Sequence, residues 1–220
     1  MELNSDFSKR ILIRTSENPW RESPAAGVER KMLDRIGDEV ARATTIVRFA
    51  PESAFAAHTH GGGEEFIVLE GTFQDEHADY PAGSYVRNPP TTRHTPRSDD
   101  GCTIFVKLWQ FDEADRNQFD LMMSPDRAVA DTHRSGVKSQ QLHRDQREAV
   151  SFEVWDAGTS HELDASGGAE ILVLEGELQE GGDHLTRQDW LRLPAGSHTI
   201  LTSGENGVRF WIKTGHLRFV

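Results

Sequence analysis

Short apolar runs broken by turn residues recur along the whole chain. "TTIVRF", "EFIVLEG", "SYVRNPP", "CTIFVKLW", "SFEVW", "EILVLEG", "WLRLPAG" and "VRFWIKT" are separated by Gly, Pro, Asn and Asp. Helical periodicity is scarce. Many short strands with frequent turn signals predict an antiparallel sandwich or barrel. Stretches such as "FIVL" are apolar on both faces, so these strands should be covered on both sides.

The pattern repeats. "EEFIVLEGTFQ" (64–74) matches "AEILVLEGELQ" (169–179) at an offset of 105 (169 − 64). "GCTIFVKLW" (101–109) matches "GVRFWIKTG" (207–215) one inserted residue later, at 106. A register held this long predicts two copies of one β domain. The expected architecture is all-β, with tandem domains at 1–112 and 146–220. A polar connector, 113–145, should join them, its "FDLMM" packed on one domain.

Composition narrows the partners. The chain has 220 residues and a formal charge of −12, which argues against non-specific nucleic-acid binding. No apolar run approaches the ~18 residues of a membrane span. The N-terminus lacks a signal-peptide pattern, so a cytoplasmic protein is expected. With Cys102 as the single cysteine, no intramolecular disulfide can form. Cys102 shares a strand face with Ile104, Val106 and Leu108 and reads as a buried, inert thiol. Homo-oligomerisation is left open.

Candidate chemistry concentrates in "HTHGGGEEFIVLEG" (58–71). In a strand, residues i and i+2 share a side, so His58 and His60 project together. A glycine turn then brings Glu64 alongside, and His94 follows on a later strand. Imidazoles and a carboxylate suit divalent first-row metals. On spacing alone, a metal site and a solvated glycine loop stand as equal readings. Glu65 faces the other side and reads as a carboxylate that is structural or supports a ligand from behind. Asp75 and Glu76 read as a solvated acidic loop. His77, His133, His143 and His216 read as surface or linker residues.

Residues 58–71 match the first cupin motif, His-x-His-(x)3-Glu-(x)6-Gly. Residues 83–94 resemble the second, Gly-(x)5-Pro-x-Gly-(x)2-His, through Gly83, Pro89 and His94. Thr91 stands where that motif has glycine, and Ser98 where asparagine is common. The run from about residue 25 to 112 resembles the ChrR-type cupin of anti-sigma factors. The resemblance implies two jelly-roll cupin barrels in tandem, a bicupin. It also implies one divalent ion held by His58, His60, Glu64 and His94: Zn²⁺ first, with Fe, Mn or Ni as alternatives. The second copy should be degenerate. It has Leu163, Ala165, Ala169 and Thr199 at the ligand positions, and a rearranged site at His161, His184 and His198 is the weaker reading.

Two functions follow. The resemblance implies a stress-sensing regulator whose partner is an ECF sigma factor. The zinc-binding helical domain that grips such a factor would need more than residues 1–24, which hold no Cys or His. The alternative is a non-haem dioxygenase acting on a small molecule such as a β-diketone. The sensing role is the favoured expectation.

Overall fold

Why the apolar runs become strands is plain in Glu64–Gln74. Phe66 and Val68 point into one buried cluster while Glu65 and Ile67, also buried, point away from it. The computed structural model describes residues 1–38 and 40–220. Among these, the only helical pieces are two 3₁₀ turns, Pro125–Arg127 and His216–Phe219. The remaining regular structure is antiparallel strand. The chain forms two units: residues 1–5 with 19–122, and residues 6–18 with 123–220.

The strand order of the first unit runs Val28–Gly37, Ala41–Phe49, Cys102–Leu108, Glu64–Gln74, Ser84–Asn88, Phe119–Met122. That of the second runs Val137–Arg144, Ala149–Trp155, Ser197–Thr214, Ala169–Glu180, Trp190–Leu193, Ile11–Ile13. The order is the same, and so is the register. Phe66 lies opposite Val106 and Val86; its counterpart Ile171 lies opposite Ile212 and Leu191. The recurring "LEG" marks a bulge in both. Gly71 and Gly176 take φ of 71° and 78°. A Cβ there would fall 2.1 or 2.2 Å from the carbonyl oxygen of Gly101 or Gly207, so only glycine fits.

The stretch 113–145 is not a plain connector. Phe119–Met122 pairs with Ser84–Asn88 in the first unit, and Val137–Arg144 pairs with Ala149–Trp155 in the second. The reason is visible in "VKSQQLHR": Val137, Gln140, Leu142 and His143 are buried, enough apolar side to pair despite polar neighbours. At the other end, Ile11–Ile13 pairs with Trp190–Leu193. The strand preceding each copy therefore closes the sheet of the other.

A charged ladder also repeats. Glu65 lies opposite Arg87 and Lys107; Glu170 lies opposite Arg192 and Lys213. All six are buried. Tyr85 donates to Glu65 at 2.7 Å, and Trp190 to Glu170 at 3.2 Å. Opposite charges on adjacent strands compensate the cost of burial. Glu65 thus faces away from His60 and Glu64's site, as a structural carboxylate should. His143 and His216, expected at the surface, are buried. Acidic neighbours hold them: Asp145 at 3.3 Å from His143 and Glu170 at 2.9 Å from His216.

Candidate metal centre

The short strand His58–Thr59 pairs with Arg93–His94, placing His58 directly opposite His94. The backbone of His60 is pinned on both sides: its N–H donates to Thr92 O and its carbonyl accepts from Thr91 N, each at 2.9 Å. Gly61–Gly63 then turns the chain into Glu64–Gln74, which begins at Glu64. These four side chains bring ligand atoms within 4.8 Å of one another, the one such group of His, Cys, Asp and Glu among the described residues.

The donor set fits a cation. His58 Nδ1 lies 3.1 Å from the Ala56 carbonyl, so that nitrogen carries the proton. His94 Nδ1 lies 3.0 Å from Asp75 Oδ2, with the same consequence. Thr92 spends its hydroxyl proton on Pro89 O at 2.7 Å, so it accepts from His60 Nδ1 at 2.9 Å. Each ring is left with a lone pair on Nε2. Two of those lone pairs meet at 3.1 Å, between His60 and His94. Glu64 Oε2 lies 3.3 Å from one and 3.4 Å from the other. Atoms about 2.1 Å from a common ion sit roughly 3.0–3.4 Å apart across an octahedral or tetrahedral edge. Converging lone pairs repel unless a cation, or a proton on one ring, lies between them.

Electrostatics distinguish the two buried rings. Burial pushes the His60 pKa below the ordinary histidine value, against the attraction of Glu64. Burial is also the largest influence on His94, and it lowers; the Asp75 hydrogen bond and the Glu64 charge outweigh it and raise the pKa. Asp75 is therefore not a solvated loop residue. It is buried, and its Oδ1 accepts from the N–H groups of His77 and Ala78 at 2.8 and 3.0 Å. Sequence reasoning missed it because nothing in its spacing shows that His94 lies behind it. Asn88, opposite Glu64 in register, donates to Glu64 Oε2 at 3.3 Å. It was missed too.

The group opens on a cavity of about 510 Å³ inside the first unit, bordered by His58, His60 and Glu64. Its other walls are apolar, from Val47, Phe49, Phe55, Ile104, Val106 and Leu108. Cys102 belongs to the same buried cluster as Ile104 and Val106. Burial pushes its thiol up to about 11, against a hydrogen bond from Ser98, so it is protonated near neutrality.

The second unit carries no such group among its described residues. Leu163 and Thr199 face each other as His58 and His94 do. Ala165 and Ala169 are fully buried in an apolar cluster against which Leu163 packs. His161 instead reaches Ser135 O at 2.9 Å. His184 and His198 pair with Gln179 and Asp164 in the register of their strands.

Comparison with known proteins gives three findings. A family model described as the ChrR cupin-like domain matches residues 8–112. No curated protein matches the sequence. Solved structures do match in fold. A proposed dioxygenase of Nostoc punctiforme PCC 73102 has a TM-score of 0.73 and 13% identity, over 97% of this chain and 85% of that one. The Escherichia coli pirin YhhW, in complex with nickel(II), has 0.68 and 15%, over 94% and 98%. A cupin 2 conserved barrel domain protein of Leptotrichia buccalis has 0.63 and 12%, over 93% and 96%. At such identities the likeness is one of fold: an all-β cupin fold.

Proposed function

Because residues 8–112 match the model of the ChrR cupin-like domain, we propose that the first unit holds one divalent metal ion at His58, His60, Glu64 and His94. On this reading the chain is a metal-dependent dioxygenase acting on a small, mainly apolar molecule. One observation carries it: three of the four donors, His58, His60 and Glu64, border a mainly apolar cavity of about 510 Å³. A purely structural ion is enclosed by its ligands and needs no such space. The dioxygenase-like and nickel-bearing neighbours are in keeping with it.

When bound, an ion such as Fe²⁺ supplies Lewis acidity and one-electron chemistry. The chain's own residues do the rest. Ala56, Thr92 and Asp75 fix the three imidazoles with Nε2 inward. Asn88 steadies the Glu64 carboxylate. The valine, isoleucine and phenylalanine walls bind an apolar body and keep water from the donors.

A second reading is favoured by the family match itself, since the ChrR resemblance implies a zinc-bearing, stress-sensing regulator with an ECF sigma factor as partner. Metal content and oxygen uptake separate the two. For the enzyme, Fe²⁺-loaded protein should consume O₂ with a small β-diketone at ~1 s⁻¹ or faster, and Glu64→Ala or His94→Ala should abolish it. Absence of turnover, with Zn²⁺ as the native ion and its release by oxidants, would instead favour the regulator.

A further inference from the structure

Both units build the same loop over the end of the barrel, and the residue at its left-handed position differs. In the first unit Trp109 N–H donates to Gly63 O at 3.0 Å and Phe111 N–H to Gly62 O at 3.3 Å. In the second, Gly215 N–H donates to Gly168 O at 3.0 Å and Leu217 N–H to Gly167 O at 3.1 Å. Trp109 and Gly215 occupy the same left-handed backbone position, with φ of 59° and 89°. Glycine adopts that conformation freely, whereas a bulky side chain is strained in it. The unit whose ligand positions are filled by Leu and Ala has the glycine; the unit with the cavity and the donor group has the tryptophan.

Burial does not explain the tryptophan. Its side chain is 46% exposed and borders the cavity, beside the exposed Val40. Gly61, whose counterpart is Ser166, leaves room for it: a Cβ there would fall 2.8 Å from the indole Cζ2. Gly62, like its counterpart Gly167, is set by backbone approach, a Cβ falling 2.7 Å from Trp109 Cα and 2.6 Å from Gly215 Cα respectively. A strained backbone and one emptied side-chain position thus hold an aromatic face at the mouth. Strain kept in this way marks a residue whose job is contact.

We propose that Trp109 is the specificity-determining wall of the cavity, stacking the planar, uncharged ring of an aromatic ligand whose oxygen donors reach the ion that His58, His60, Glu64 and His94 would hold. This rests on the reading of that group as a metal centre. Phe49 and Phe55 supply further ring contacts inside. No Lys or Arg is among the described residues lining the cavity, so an anionic body would be desolvated there without a partner.

Two probes share one chelating head: acetylacetone, and benzoylacetone, in which a phenyl replaces a methyl. Their binding to the Zn²⁺-loaded full chain, which does not turn over, is measured by calorimetry. The wild type should prefer benzoylacetone by roughly tenfold, the order of one aromatic contact. Trp109→Gly, which installs the second unit's residue, should shrink that ratio to within about threefold. Trp109→Leu, which keeps bulk but no ring, should do the same, and it decides the matter if the glycine variant does not fold. Trp109→Phe should keep most of the preference. A wild type with no preference, or a ratio unchanged in Trp109→Gly and Trp109→Leu, overturns the assignment of Trp109 and leaves the metal centre standing. Failure of both diketones to bind in a Zn²⁺-dependent way overturns the metal-centre reading, and the assignment with it.

Discussion

At the scale of single residues, the donor group is set as much by its partners as by its ligands. Asp75 is the sharpest case: it fixes the His94 tautomer and raises that ring's pKa. Asp75→Asn should weaken metal binding about 10- to 100-fold at neutral pH, the usual effect of losing such a partner. A second readout separates this role from general destabilisation. Protons compete with the ion for Nε2, so affinity falls as pH drops. The sign follows from the shifts. His94, raised above the ordinary histidine value, takes up a proton first, while His60, lowered, stays neutral to lower pH. Wild-type affinity should therefore begin to fall at a higher pH than an ordinary histidine would give. In Asp75→Asn the onset should move to lower pH even as affinity drops. An onset that does not move would show that Asp75 does not control His94. The candidate ligands were legible in the sequence: spacing allowed a metal site without deciding it, and the match to the two cupin motifs singled out His58, His60, Glu64 and His94. Asp75 and Asn88 were not, because their roles depend on which strands become neighbours.

At the scale of elements, the turn before His94 explains a departure in the motif. Thr91 stands where glycine is usual, and its φ is 82°; its counterpart in the second unit, Gly196, has φ of 86°. The backbone has kept the glycine conformation and the threonine bears the strain. Its side chain is exposed, so little contact would be lost on removal. Thr91→Gly should stabilise the protein by about 0.5–1 kcal/mol, strain relief exceeding the entropic cost of glycine. Thermal unfolding should show a higher midpoint, with metal stoichiometry unchanged. A lower midpoint would mean that the threonine makes a contribution the backbone angle hides. The repeated strands were legible from their apolar pattern. The Glu65–Arg87–Lys107 and Glu170–Arg192–Lys213 ladders were written in the same repeat. They went unread because charged residues are taken for solvent-facing ones, and only strand order shows three of them side by side.

At the scale of the whole molecule, periodicity says that a segment is a strand but not which sheet it joins. This is why Ile11–Ile13 was placed with the wrong copy, and why Phe119–Met122 was read as connector packed on one domain rather than as a strand of the first unit's sheet. The exchange has a testable consequence. Residues 6–18 belong to the second unit. There Ile11–Ile13 covers the edge of Trp190–Leu193 and Leu12 packs on the apolar cluster. Arg10 holds Glu180 and Asp183, each at 2.7 Å. Every donor of the candidate metal centre lies in the first unit. Deleting residues 1–18, which also strips Glu2–Leu3 from the edge of the first unit, should therefore destabilise the second unit, by on the order of 2–4 kcal/mol for one half-buried leucine and a short strand ladder. The loss should appear in the fluorescence transition of Trp155, Trp190 and Trp211. The truncated chain, like the intact one, should still bind close to one divalent ion. Two ions per intact chain would mean that the second unit holds a site of its own. An unchanged transition of the second unit would show that the N-terminal strand adds nothing to the sheet it completes.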